Sequence, residues 1–151
     1  MTKNASLCIG VMLVLFNASL FAQSQPLAAV QKEAPVKLRI SIGDRKLSVT
    51  LNDSSAARDF LKLLPLTLTL EDYSRTEKIS YLPRKLTMEN EPAGIDPMVG
   101  NLAYYAPWGN IAIFYRDFGY STGLILLGRL DSGIDAFSVS GSVKATFEIA
   151  E

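Results

Sequence analysis

The chain contains no histidine, and its one cysteine, Cys8, lies in the opening apolar stretch. Those two shortages exclude much chemistry. Ser-His-Asp and Cys-His mechanisms need an imidazole as base, so neither can be assembled. Zinc and other soft metals lose their main nitrogen and sulfur ligands. No P-loop and no GxGxxG run is present, so the usual cradle for nucleotide phosphates is missing. Charge of either sign is also without excess: 15 Lys and Arg balance 15 Asp and Glu. Phosphate backbones are bound by clustered excess cations, so no nucleic-acid partner is expected. No internal repeat is visible.

What is present begins with an address. Lys3 precedes the uninterrupted apolar run Leu7 to Phe16, and small and polar residues follow in NASLFAQSQ. That order is the order of a secretory signal peptide. The run is shorter than the roughly 20 residues a membrane span needs, so no lasting membrane anchor is expected. Cleavage after Ala22 is preferred, with Ser24 as the alternative. Cys8 lies inside the run and not at the cleavage site, which argues against lipid attachment. The reading is a signal peptide over 1–22, a Gln-, Ala- and Pro-rich leader over 23–35 and one domain over 36–151. The expected location is periplasmic or secreted. Removing Lys3 takes the formal charge from 0 to −1. The mature chain has no cysteine and must be held by its core.

Within the domain, Val36 to Ile42 alternates apolar and polar residues, the period of a half-buried strand. Gly43-Asp44 reads as a hairpin turn, because glycine takes the positive φ that such turns require. Leu47, Val49 and Leu51 alternate on the return strand. Asn52 to Ser55 offer helix caps. Ala57, Phe60, Leu61 and Leu64 share one helical face up to Pro65, which predicts about three turns. Leu66, Leu68 and Leu70 predict a third strand, followed by a polar connection over 71–78. Ile79 to Leu82 predicts a short strand. Pro83 to Pro97 reads as a long surface loop, of a length often found at functional sites.

The aromatic residues gather in Gly100 to Leu130, which holds the only Trp and four of the six Tyr. Leu102–Tyr105, Ile111–Tyr115 and Leu124–Leu130 predict strands, with Gly128 marking a bulge or a close backbone approach. Tyr104 and Tyr105 must point to opposite faces of their strand. Asp131-Ser132-Gly133 reads as a turn, and Ile134 to Ser138 as a single helical turn. Asp131 and Asp135 bring too few oxygen ligands for a calcium loop of known type, and no metal is expected. Val143 to Ile149 predicts the last strand. About eight short strands with short turns and one clear helix suggest a barrel or sandwich.

Several blocks in order, NDSSAARDFLKLLPLTLTLEDYSRTEKISYLPRKL, NLAYYAPWGNIAIFYRDFGYS and LILLGRLDSGID, resemble the small bacterial cyclophilin-like domain proteins. The likeness runs from Val36 to Ile149. It implies a mainly β fold, a closed barrel of about eight strands with one or two short capping helices. The family is defined by its fold, so membership does not supply a function. True cyclophilins isomerise X-Pro bonds and carry Phe-His-Arg and Gln-Gly-Gly-Asp runs. Neither run occurs here.

The expected activity is therefore binding of a small molecule or peptide in an aromatic-lined groove built by Tyr104, Trp108, Phe114 and Phe118. The alternatives are a divergent prolyl isomerase and a protein-interaction module. An isomerase needs an apolar pocket for the ring and a cation that donates to the imide nitrogen. Arg84 and Arg116 are the candidates for that catalytic cation. No cofactor is expected, and a monomer is.

Overall fold

The computed structural model describes residues 34–151. The expected signal peptide and residues 23–33 of the leader lie outside the described residues. The elements in chain order are β1 (Lys37–Ile42), β2 (Arg45–Leu51), α1 (Ser55–Leu61), β3 (Leu66–Tyr73), β4 (Glu77–Tyr81), β5 (Gly94–Ile95), β6 (Asn101–Tyr105), β7 (Asn110–Phe114), β8 (Ser121–Thr122), β9 (Leu124–Leu130), a 3-10 turn (Ile134–Ala136) and β10 (Val143–Ile149). Eight strands close into an antiparallel barrel in the order β1-β10-β3-β4-β7-β6-β9-β2, and β5 pairs with β8 outside it. The expected mainly β, closed barrel is the fold observed.

Period-two alternation builds the interior. Leu38 and Ile40 of β1 face Val49 and Leu47 of β2, and all four are buried. The turn between these strands needs Gly43, at φ +53°. Ala145 and Phe147 of β10 close the same core from the other side of β1. Gly128 lets β9 approach β2: a Cβ there would lie 2.5 Å from the carbonyl oxygen of Thr50. No side chain fits at that separation, so the anticipated close approach is real.

Helix α1 is shorter than its apolar pattern predicts, at seven residues. Ser54 caps it by accepting from the Ala57 N–H at 3.2 Å, and the Glu91 carboxylate accepts from the Ala56 N–H at 2.7 Å. Tighter turns then carry the chain through residues 62–64 to the cis Leu64–Pro65 bond. Phe60 meets Phe147 edge to face at 6.1 Å, which docks the helix on the barrel core.

The polar connection expected over 71–78 is mostly strand. β3 continues to Tyr73 and β4 begins at Glu77, joined by Ser74 and Arg75, both at positive φ. No glycine marks this turn. The polar residues pair because one face here is half-exposed and the other buries a network. Lys78, fully buried, donates to the carbonyls of Val139 and Gly141 at 2.6 and 2.5 Å and lies 3.2 Å from Asp72. The Tyr115 hydroxyl donates to the same carboxylate at 2.5 Å. A buried charge persists only when paired in this way.

β6 and β7 are covered on both faces. Leu102, Tyr104, Ile111 and Ile113 fill the barrel. Ala103, Ala112 and Phe114 point outward into a second cluster with Leu124, against which Ile95 packs. The long loop 83–97 supplies that cover through β5, held to β8 by the pairs Gly94–Thr122 and Ile95–Ser121. The doubly covered strands explain why Ile111 to Phe114 reads as an unbroken apolar run.

Candidate functional site

The outer face of the β3-β4-β7-β6-β9 region carries a depression of about 230 Å³. Strand register decides its membership. Tyr73 of β3 stands opposite Glu77 of β4, and Glu77 stands opposite Phe114 of β7. Asn110 pairs with Tyr105 of β6, which in turn pairs with Leu124 of β9. Each of these side chains projects to the same outer face. The turn after β6 brings Trp108 over them, and the loop after β7 adds Phe118 and Ser121.

Trp108 is held rather than loose. It meets Tyr73 and Tyr105 edge to face, both at 5.5 Å, and is still 45% exposed. Phe118 is 54% exposed at the rim. Phe114 is buried in the outer cluster and presents part of itself to the depression. Large aromatics left open to water around one concavity are a binding feature. The volume lies just below the roughly 300–1,000 Å³ of sites for drug-sized ligands. The space therefore suits one ring or one side chain.

The polar groups are unusual. Asn110 is only 2% exposed, and its side-chain oxygen has no hydrogen-bond partner among the described residues. An unpaired buried acceptor is costly and rare. Glu77 is half-buried, and burial pushes its carboxyl up to about 7. Among the described residues, no Lys or Arg lines the depression.

Of the predicted site residues, the structure brings together Trp108, Phe114 and Phe118. Tyr104 is not among them. It is fully buried inside the barrel, and its hydroxyl accepts from the Leu86 N–H at 3.1 Å. Strand parity assigns the groove to Tyr105 instead. Arg84 is also elsewhere: its guanidinium grips Asp59 of α1 with contacts of 2.7 and 3.0 Å. That pair, together with the Thr87 N–H, holds the Asp59 carboxyl well below the usual carboxylate range. Arg116 is exposed beyond the end of β7 and does not line the depression. Asp131 and Asp135 are in separate ion pairs, with Lys37 at 2.7 Å and Arg45 at 2.9 Å.

Tyr73, Glu77, Tyr105, Asn110 and Leu124 were missed as site residues. Their signal was cross-strand register, which composition and spacing along one strand do not carry. Two broader and more open hollows flank α1 and β9, at about 470 and 500 Å³. Among the described residues, neither has an aromatic in its lining.

Residues 40–148 match the family model described as the cyclophilin-like family. The solution structure of a hypothetical protein from Archaeoglobus fulgidus is similar, with a TM-score of 0.59 and 17% identity. The match covers 81% of this chain and 100% of that one, and at such identity the likeness concerns the fold alone. No curated protein matches the chain.

Proposed function

We propose a binding role, proceeding from the premise that this chain belongs to the cyclophilin-like family, whose fold names no activity. The outer-face depression holds one apolar ring or side chain of a small molecule or peptide. The observation that carries this reading is the open aromatic wall of Trp108, Tyr73, Tyr105 and Phe118 around a single concavity. Turnover of prolyl peptides is the weaker reading, because neither candidate arginine reaches the depression. The protein acts alone and outside the cytoplasm in this proposal. The signal-like start supports export, and a closed barrel leaves no main-sheet edge for a second copy to extend.

Trp108 is the only tryptophan, so its emission reports the site without labelling. Titration with small ring compounds and with a proline-containing peptide is expected to change that emission saturably. The bound peptide is expected to exchange between cis and trans at its uncatalysed rate in NMR exchange spectra. No change with any probe removes the binding reading, and accelerated exchange replaces it with an isomerase.

A further inference from the structure

We propose that the occupant of the outer-face depression is a protonated amine on an apolar body, held by the Glu77 carboxylate against the rings of Trp108 and Tyr73. The inference rests on the binding reading above and names its ligand class.

Charge around Glu77 is out of balance. Glu77 takes part in no ion pair and no side-chain hydrogen bond among the described residues, although buried Asp59 and Asp72 of the neighbouring β3 are each paired with a cation. Tyr73 faces it from β3, with Glu71 two residues back on the same face. Tyr115 and Arg116 follow its β7 partner Phe114, and Arg75 lies in the preceding turn. The Tyr115 hydroxyl is committed to Asp72. Lys78, next in the chain, points the other way, into the barrel. Among the described residues no cation neutralises Glu77, and burial is what raises its proton affinity.

The surrounding surface favours a cation for a second reason. Aromatic rings present negative faces, and cations dock on them well, best on Trp. Trp108 is fixed by its two tyrosine neighbours, so little ordering is needed on binding. An anionic ligand would meet Glu77 with no lining Lys or Arg to offset it. A permanently alkylated cation would leave the Asn110 side-chain oxygen unpaired, whereas an amine that keeps its N–H can donate to it. Asn110 lines the depression, and its terminal amide torsion is soft. The small volume admits one ring or short chain beside the ammonium group.

The test compares two optically silent probes of similar shape, cyclohexylmethylammonium and cyclohexylmethanol, by Trp108 emission on the whole protein. The ammonium is expected to bind about tenfold more tightly than the alcohol at pH 8.5, where tenfold is the 1.4 kcal/mol step of affinity. That ratio is expected to shrink toward one at pH 5.5, because Glu77 is then neutral and the amine keeps its charge. Glu77→Gln is expected to abolish the preference at pH 8.5, and the pH series on the unaltered protein reads the same group without a substitution. Equal or tighter alcohol binding at pH 8.5 overturns the amine proposal and leaves the apolar-binding reading standing. A preference that survives both low pH and Glu77→Gln overturns the role of Glu77. No response to either probe removes both readings.

Discussion

Replacing Glu77 with glutamine should make the protein more stable at pH 8 and leave its stability nearly unchanged at pH 4. The sign follows from the carboxyl's proton affinity, which rises from an ordinary 4.5 to about 7 on folding. Below pH 4.5 the group is neutral in both states and costs nothing. Between 4.5 and 7 the unfolded chain ionises it while the folded chain keeps its proton, so stability falls as pH rises. Above 7 the penalty is complete. At about 1.36 kcal/mol per pH unit the gap corresponds to about 3 kcal/mol. Glu77 is only half-buried, and solvent screening reduces the effect to about 1–2 kcal/mol. Urea unfolding measures it directly: with slopes of about 1–3 kcal/mol per molar, the midpoint of Glu77→Gln should exceed that of the unaltered protein by about 0.5–1 M at pH 8. Comparing the two proteins at each pH cancels Asp59 and Asp131, whose lowered proton affinities act in more acidic solution. The same difference at pH 4 and pH 8 would refute the reasoning, and so would a less stable variant at pH 8. A carboxylate that lowers stability in neutral solution fits a residue retained for its ligand.

Phe118→Ala should weaken probe binding several-fold while shifting stability by less than about 0.5 kcal/mol, since the ring is over half exposed. Tyr104→Phe should do the reverse: it strands the buried Leu86 N–H, costs about 1–3 kcal/mol in urea unfolding and leaves binding unchanged. Arg84→Ala should lower the thermal midpoint at neutral pH by releasing Asp59. Because the Asp59 carboxyl is held below its ordinary 3.8, the loss should shrink as acid protonates it in both proteins. The loss should therefore be clearly smaller at pH 2 than at pH 7, and a loss that is the same at both would show that Arg84 acts through packing alone.

Much of the fold was legible along the chain. Leu38, Ile40, Leu47 and Val49 declare their buried face by alternation, and Gly43 declares the turn between them. Gly128 in an apolar strand signalled a bulge or a close approach, and the structure shows β9 close against β2 there beside a register shift against β6. The β3–β4 hairpin was hidden for two reasons. Its turn residues Ser74 and Arg75 take positive φ without being glycine, and its polar residues serve a half-exposed face and a buried network at once. The helix was overestimated because Leu61 and Leu64 continue the apolar pattern through turns tighter than an α-helix.

The candidate site divides in the same way. The sequence by itself determined that aromatic residues concentrate after Gly100, that imidazole chemistry is excluded, and that a mainly β domain would carry the aromatics. It also determined that only one of Tyr104 and Tyr105 could face outward. Only the tertiary structure decided which one, because the parity of a strand becomes inside or outside only when its neighbours are placed. Glu77 lies 37 positions before Phe114 in the chain and meets it only through the β4–β7 register. Arg84 looked available for catalysis until the fold laid α1 against its loop and gave Asp59 to it. Local periodicity is set by the geometry of each backbone segment and is written in neighbouring residues. Pairing between distant segments is set by which faces can be buried together, and only the closed barrel settles that.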